Sequence, residues 1–400
     1  MPAPLEATRV TRRTFLLGAS ALAAAACTRS RGHVVATAAS PVVPVDCPAA
    51  DGSDALWATA IGNGLVYGSS AATWQLDDPE YRRLFARQAA IVFTEDDLLW
   101  WRLRPTPTSD LDFSYGDRIV RFARGEGMLV LGAHLVWDQG FGKGWSQSDF
   151  VTMDPGRARR LLFGTLDAVV RRYRGRVAAW IVANEVLDAG GLRIDVPWYT
   201  ALGDGYVAEA FRRAREADPK AVLLLNDFGY ETDNQSGSTT QKRDATLRFL
   251  DEQLANDVPI DALGIQAHLD ASTFDTFEPD AYRAFLSDVA DRGLDVFITE
   301  LDVLDDGLPA DVGQRDAAVA DIYRRYLEVA LDEPAVRTVT TFGLSDRYTW
   351  LQEDYPRSDG AARRPLPFDA KMRPTPALDA VRSALATAPP RSALWTPPRC

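Results

Sequence analysis

Short apolar runs alternate with amphipathic stretches along most of the chain. Eight runs stand out, at 64–69, 89–93, 128–134, 177–184, 221–226, 262–268, 294–299 and 337–343. Each is apolar at consecutive positions rather than at alternate ones. That suits strands buried on both faces of a parallel sheet. Between the runs the period lengthens to that of a helix. Over 206–217, Val207, Ala210, Phe211 and Ala214 fall on one face. Leu247, Leu250 and Leu254 do the same, as do Ile322, Tyr326 and Val329. Proline stops two of these helices, in Asp218-Pro219 and Asp332-Glu333-Pro334, because it has no amide hydrogen and clashes with the preceding turn. Eight β–α units predict an α/β fold, a single (β/α)8 TIM barrel over 54–390 with a C-terminal tail at 391–400. An open doubly wound sheet is the alternative. Neither GxGxxG nor GxxxxGK[ST] follows a strand, so nucleotide-binding versions of either fold lose support.

The alternation begins only after residue 53. Before it, Arg9, Arg12 and Arg13 precede an apolar or small run at 15–26, too short for the roughly 20 residues that span a bilayer. The pattern at 1–26 matches a signal peptide, and Thr11-Arg12-Arg13-Thr14-Phe15-Leu16 resembles a twin-arginine export signal. Ala24-x-Ala26 is a cleavage pattern, and Cys27 directly after it resembles a lipobox cysteine. Ala24 stands where Leu, Ile or Val is usual. Two readings stay open: a surface lipoprotein tethered through Cys27, its one membrane attachment, or plain secretion. Residues 27–53 are rich in Ala, Val, Pro, Ser and Thr with no helical period, as in a linker.

Composition narrows the chemistry. Forty-four basic residues against 56 acidic ones give a net charge of −12, which argues against binding nucleic acid or anionic lipid through a basic face. Three histidines, His33, His134 and His268, and three cysteines with no CxxC weigh against a metal site, and no cofactor is expected.

A barrel places catalytic groups at the C-terminal ends of its strands. There the runs close with His134, Asn184-Glu185, Asn226-Asp227, Gln266 with His268, and Glu300 with Asp302. Two carboxylates facing one cleft are what glycoside hydrolysis needs, one protonated and one ionised. Asn184 is placed to bond a sugar 2-hydroxyl. Asp302 lies two residues after Glu300, so in extended chain both point to one side, and Gln266 and His268 share that spacing. A histidine between Glu300 and Asp302 would be oriented by one and donate to the other.

These residues resemble a known family. AWIVANEV (179–186), LLLNDFGYE (223–231), LGIQAHL (263–269) and FITELDV (297–303) are similar to segments of family 10 glycoside hydrolases, the endo-β-1,4-xylanases. Further similar segments at 113–127, 202–219, 342–351 and 365–381 keep the same order, so the resemblance covers roughly 57–386. It implies a retaining (β/α)8 enzyme, acting as a monomer on a polysaccharide or oligosaccharide. It implies Glu185 as acid/base and Glu300 as nucleophile, oriented by His268 and Asp302. Asn184 and Gln266 would contact the sugar and Trp350 would wall its site. Trp137, Glu95 and Asn226 complete the expected substrate contacts.

The departures fall on sugar-binding positions. Where the family has a motif like ENEMKW, this chain reads Glu95-Asp96-Asp97-Leu98-Leu99-Trp100. Where it has GHTLVWH, this chain reads Gly132-Ala133-His134-Leu135-Val136-Trp137-Asp138, and a tryptophan becomes Phe342. Leu99 and Ala133 remove donors, and Asp96 and Asp138 add acceptors. His134 is displaced by one position, which in a strand turns a side chain to the opposite face. Retained chemistry with altered glycone recognition is one reading, a drifted xylanase another. A glycan-binding lipoprotein on an inactive barrel and a metal-dependent barrel hydrolase are the rivals from other classes. With Cys27 set aside, Cys47 and Cys400 form an even pair at the two ends of the barrel. Barrel termini lie close together and an exported protein meets an oxidising compartment, so they are expected to form a disulfide.

Overall fold

A computed structural model describes residues 47, 50 and 53–400, apart from 152, 235 and 236. The export signal, Cys27 and nearly all of the linker lie outside the described residues. Within them, no helix is long and apolar enough to cross a membrane.

All eight expected strands are present: β1 (Val66–Ser70), β2 (Ile91–Phe93), β3 (Leu129–Gly132), β4 (Ala179–Asn184), β5 (Val222–Asp227), β6 (Ala262–Ile265), β7 (Asp295–Leu304) and β8 (Val336–Thr341). Each pairs in parallel with its neighbours in sequence, and β8 pairs with both β7 and β1, which closes the barrel. The run at 128–134 is strand only to Gly132, whereas β7 continues past Thr299 to Leu304. The extension of β7 pairs with a short strand at His268–Asp270, with Asp302 opposite His268.

Alternate strand residues divide between two apolar clusters. Ile91, Phe93, Leu131, Ile181, Leu224 and Phe297 join the cluster inside the barrel, while Val92, Val130, Val182 and Leu225 face the helices. The helix Tyr206–Ala217 buries Val207, Ala210, Phe211 and Ala214, the stripe that its period predicts.

The bottom of the barrel is closed by the two ends of the described chain. Trp395 meets Phe297 edge-on at 5.6 Å, and the Arg399 guanidinium lies over the Trp57 ring at 4.9 Å. Arg391 is buried and donates to the carbonyls of Leu331, Glu333 and Val336. Cys47 and Cys400 are joined by the expected disulfide, with Cα atoms 4.6 Å apart.

Candidate active site

The strand ends deliver two carboxylates to the open mouth of the barrel. Glu300 lies within β7, and the two-residue period carries Asp302 to the same side. Glu185 directly follows β4 and takes φ +55°, a left-handed conformation that costs a non-glycine residue energy and swings its side chain out of the strand alternation.

A continuous chain of hydrogen bonds joins the pair. Gln266 Nε2 donates to Glu185 Oε1 at 3.0 Å and approaches Asn184 Oδ1 at 3.3 Å. Asn226 Nδ2 donates to Asn184 Oδ1 and to Glu300 Oε1, both at 2.8 Å. Trp137 Nε1 donates to Glu185 Oε2 at 3.0 Å, and Gln139 Nε2 reaches the same oxygen at 3.4 Å. On the Glu300 side, His268 Nδ1 lies 2.8 Å from Asp302 Oδ1 and its Nε2 3.2 Å from Glu300 Oε2. Trp350 Nε1 donates to Asp302 Oδ2 at 2.7 Å.

The expected pairing of Gln266 with His268 is divided. Ala267 between them takes φ +59°, which breaks the extended geometry. Gln266 therefore serves Glu185 while His268 serves Glu300. Asn226, expected to contact substrate, lies behind the carboxylates instead. It is fully buried, and Thr299 Oγ1 donates to its side-chain oxygen at 2.7 Å. Both of its amide hydrogens and its oxygen are thus engaged by protein. Glu95 is buried after β2, accepting from Ser70 Oγ at 2.9 Å and from Gln75.

The electrostatics divide the two histidines. Burial works against a charge on His268, but Asp302 and then Glu300 outweigh it and raise the imidazole to about 10. His268 is therefore a cation at neutral pH. His134 moves the other way. Its burial outweighs the attraction of Glu300 and Glu185 and lowers it, leaving a neutral ring.

The acceptors expected at Asp96 and Asp138 are each met by the protein at one carboxylate oxygen, while Asp138 Oδ1 is buried without a partner. Trp74 Nε1 donates to Asp96 Oδ2 at 3.2 Å, and Arg193 Nη2 to Asp138 Oδ2 at 3.1 Å. Arg193 also donates to the backbone oxygen of Glu185 at 3.0 Å. Burial raises Asp138 to about 6 despite Arg193, and Glu185 adds to the rise. Leu99 and Phe342 are apolar parts of the wall, Phe342 standing edge-on to His268 at 5.4 Å. Sequence reasoning missed Arg193, Gln139, Thr299 and the buried pair of Lys242 with Asp227. That pair holds the turn after Glu185, since Asp227 accepts from the Leu187 amide and Lys242 donates to the Leu187 carbonyl. Only the strand-end position of Asp227 carried any signal.

No group of histidine, cysteine and acidic side chains that could hold a metal ion occurs among the described residues.

Residues 55–384 match the model for glycosyl hydrolase family 10. The chain is 30% identical over 320 residues to endo-1,4-beta-xylanase B of Thermotoga neapolitana, covering 78% of this chain and 85% of that protein. It is 32% identical over 330 residues to a thermostable celloxylanase of Thermoclostridium stercorarium, covering 74% and 79%. The crystal structure of native xylanase 10B from Thermotoga maritima shares the fold with a TM-score of 0.73 at 27% identity, covering 83% of this chain and 98% of that one. With the match running from the first helix of the barrel into the last, the chain belongs to glycosyl hydrolase family 10.

Proposed function

We propose that this protein cleaves β-1,4-linked xylan or xylo-oligosaccharides by double displacement. Glu300 is the nucleophile and Glu185 the general acid/base. The observation that carries these roles is His268 set between Asp302 and Glu300, bonded to both. The bond from His268 fixes the orientation of the Glu300 carboxyl, the group that attacks an anomeric carbon. Glu185 accepts from Trp137, Gln139 and Gln266, which hold its carboxyl in place on the other side of the cleft, where the acid/base acts.

In the first step Glu300 bonds to the anomeric carbon as Glu185 gives its proton to the departing glycosidic oxygen. In the second, Glu185 takes a proton from water, which displaces Glu300. Asn184 Nδ2 is buried without a protein partner and supports a bond to the sugar 2-hydroxyl. Gln266 Oε1 is likewise unpartnered and adds an acceptor. Trp350, bonded to Asp302, and Trp137, bonded to Glu185, are assigned as walls of the sugar site, and Glu95 as a contact to the glycone.

The relatives named as xylanases favour xylan as substrate. The losses of polar groups at Leu99 and Ala133 favour changed affinity for the sugar on the glycone side. We further infer a monomer exported through the twin-arginine-type segment at 1–26, with the linker expected at 27–53 serving as spacer only up to Cys47, which the disulfide ties to the barrel. A disulfide in the barrel fits an oxidising destination. The mass of the mature N-terminus separates a lipidated Cys27 from free secretion.

The deciding experiment is Glu300→Gln with an aryl β-xylobioside. Turnover should vanish while the thermal midpoint stays within a few degrees of wild type. Hydrolysis at the wild-type rate would remove Glu300 from the role of nucleophile.

A further inference from the structure

His134 does not turn away from the cleft. Strand alternation no longer applies to it, because β3 ends at Gly132. Its ring packs against Trp137 at 5.0 Å and Phe93 at 5.7 Å. Trp137 is bonded to Glu185, and Phe93 meets Phe342 at 5.8 Å, which in turn meets His268. An arc of rings therefore runs from one carboxylate to the other, and His134 lies in it. Burial lowers its imidazole, and Glu300 and Glu185 act against that lowering.

His134 is only 8% exposed, and its Nδ1 is sealed from solvent with no hydrogen-bond partner. No protein group pairs with the other ring nitrogen among the described residues. A phenyl ring would fill the same slot between Phe93 and Trp137 and leave nothing unpaired. What imidazole adds is a neutral polar edge beside the reacting groups. Rotation about its last side-chain torsion, which has a broad two-fold profile, exchanges the two ring edges. Next to it Ala133 offers only a methyl group.

We propose that His134 is a sugar-recognition residue, whose imidazole hydrogen-bonds a hydroxyl of the ring held at the cleavage site where Ala133 provides no polar group. The proposal rests on the reading of Glu185 and Glu300 as the cleaving pair. It makes the departure of this chain from its family a relocation of a polar contact rather than its loss.

The test compares wild type with His134→Phe on an aryl β-xylobioside and on analogues lacking single hydroxyls on the ring at the cleavage site. His134→Phe should fold with a thermal midpoint equal to or above that of wild type, because it removes an unpaired buried nitrogen. Its kcat/KM on the full substrate should fall about 10- to 100-fold. On one monodeoxy analogue the two proteins should agree within about two-fold, since the bond is then absent from both. His134→Leu carries the same comparison if the phenylalanine variant does not fold. Equal rates on the full substrate, or the same ratio on every analogue, would overturn the proposal and leave the cleaving pair intact. A wild-type protein inert on the aryl glycoside would instead overturn the reading of the pair, and the proposal with it.

Discussion

His268 and Asp302 lie 2.8 Å apart through Nδ1 and Oδ1, opposite each other on two paired strands. The contact is made where the extension of β7 meets the short strand at His268–Asp270. It turns the other ring nitrogen toward Glu300 and keeps the ring charged. Replacing Asp302 with Asn removes the carboxylate that does most to raise the imidazole. His268 should then titrate closer to the ordinary 6.5, and kcat should fall on the order of 100-fold. An NMR titration with steady-state rates checks both, and an unmoved His268 would contradict the arrangement.

The same pair sets a stability window. A histidine raised in the folded state stabilises it below its unfolded value, and that contribution is lost as pH climbs toward the folded value. The thermal midpoint should therefore decline between about pH 6.5 and 10, and decline less in Asp302→Asn. Parallel curves for the two proteins would show that His268 is not the group responsible.

Arg193 and Asp138 are mostly buried, and their charges answer each other beside the Glu185 backbone. Removing only the cation strands the carboxylate. Arg193→Met should cost about 2–3 kcal/mol, less than a fully enclosed pair because part of each side chain reaches solvent. Asp138→Asn should cost less, since Arg193 keeps Asp195 as a second carboxylate partner. Denaturant midpoints in the reverse order would refute the account.

Asn226 holds Glu300 and Asn184 from behind. Asn226→Ala should lower kcat by about 100-fold with little change in KM, because it loosens Glu300 and the Asn184 contact to the 2-hydroxyl, both of which strengthen in the transition state. A rise in KM at constant kcat would return Asn226 to the substrate surface.

The disulfide Cys47–Cys400 closes a loop with a sequence separation of 353. Cys400→Ser should cost of order 3–5 kcal/mol through the entropy returned to the unfolded chain, with kcat unchanged. The bond lies at the closed end of the barrel, away from the carboxylates. A change in kcat without a change in stability would be the contrary result.

The barrel was legible because its signal is local. Consecutive apolar positions make strands, a three-to-four-residue stripe makes helices, and proline ends them. The two-residue period alone put Glu300 and Asp302 on one side of β7. Eight such units leave one closed arrangement whose strand ends share a mouth, so Glu185 and Glu300 were legible too.

What the tertiary structure decided is which polar groups meet, and that depends on residues far apart in sequence. Left-handed residues at Glu185 and Ala267 broke the local period, so Gln266 and His268 went to different carboxylates. Asp96 and Asp138 read as free acceptors for a sugar, whereas Trp74 and Arg193, from other loops, each bond one of their oxygens. His134 seemed turned away until β3 proved to end before it. Chain periodicity fixes the scaffold because burial of apolar surface is additive along a strand. Charge state and hydrogen-bond partnership are fixed by distance and desolvation in three dimensions, which no one-dimensional spacing encodes.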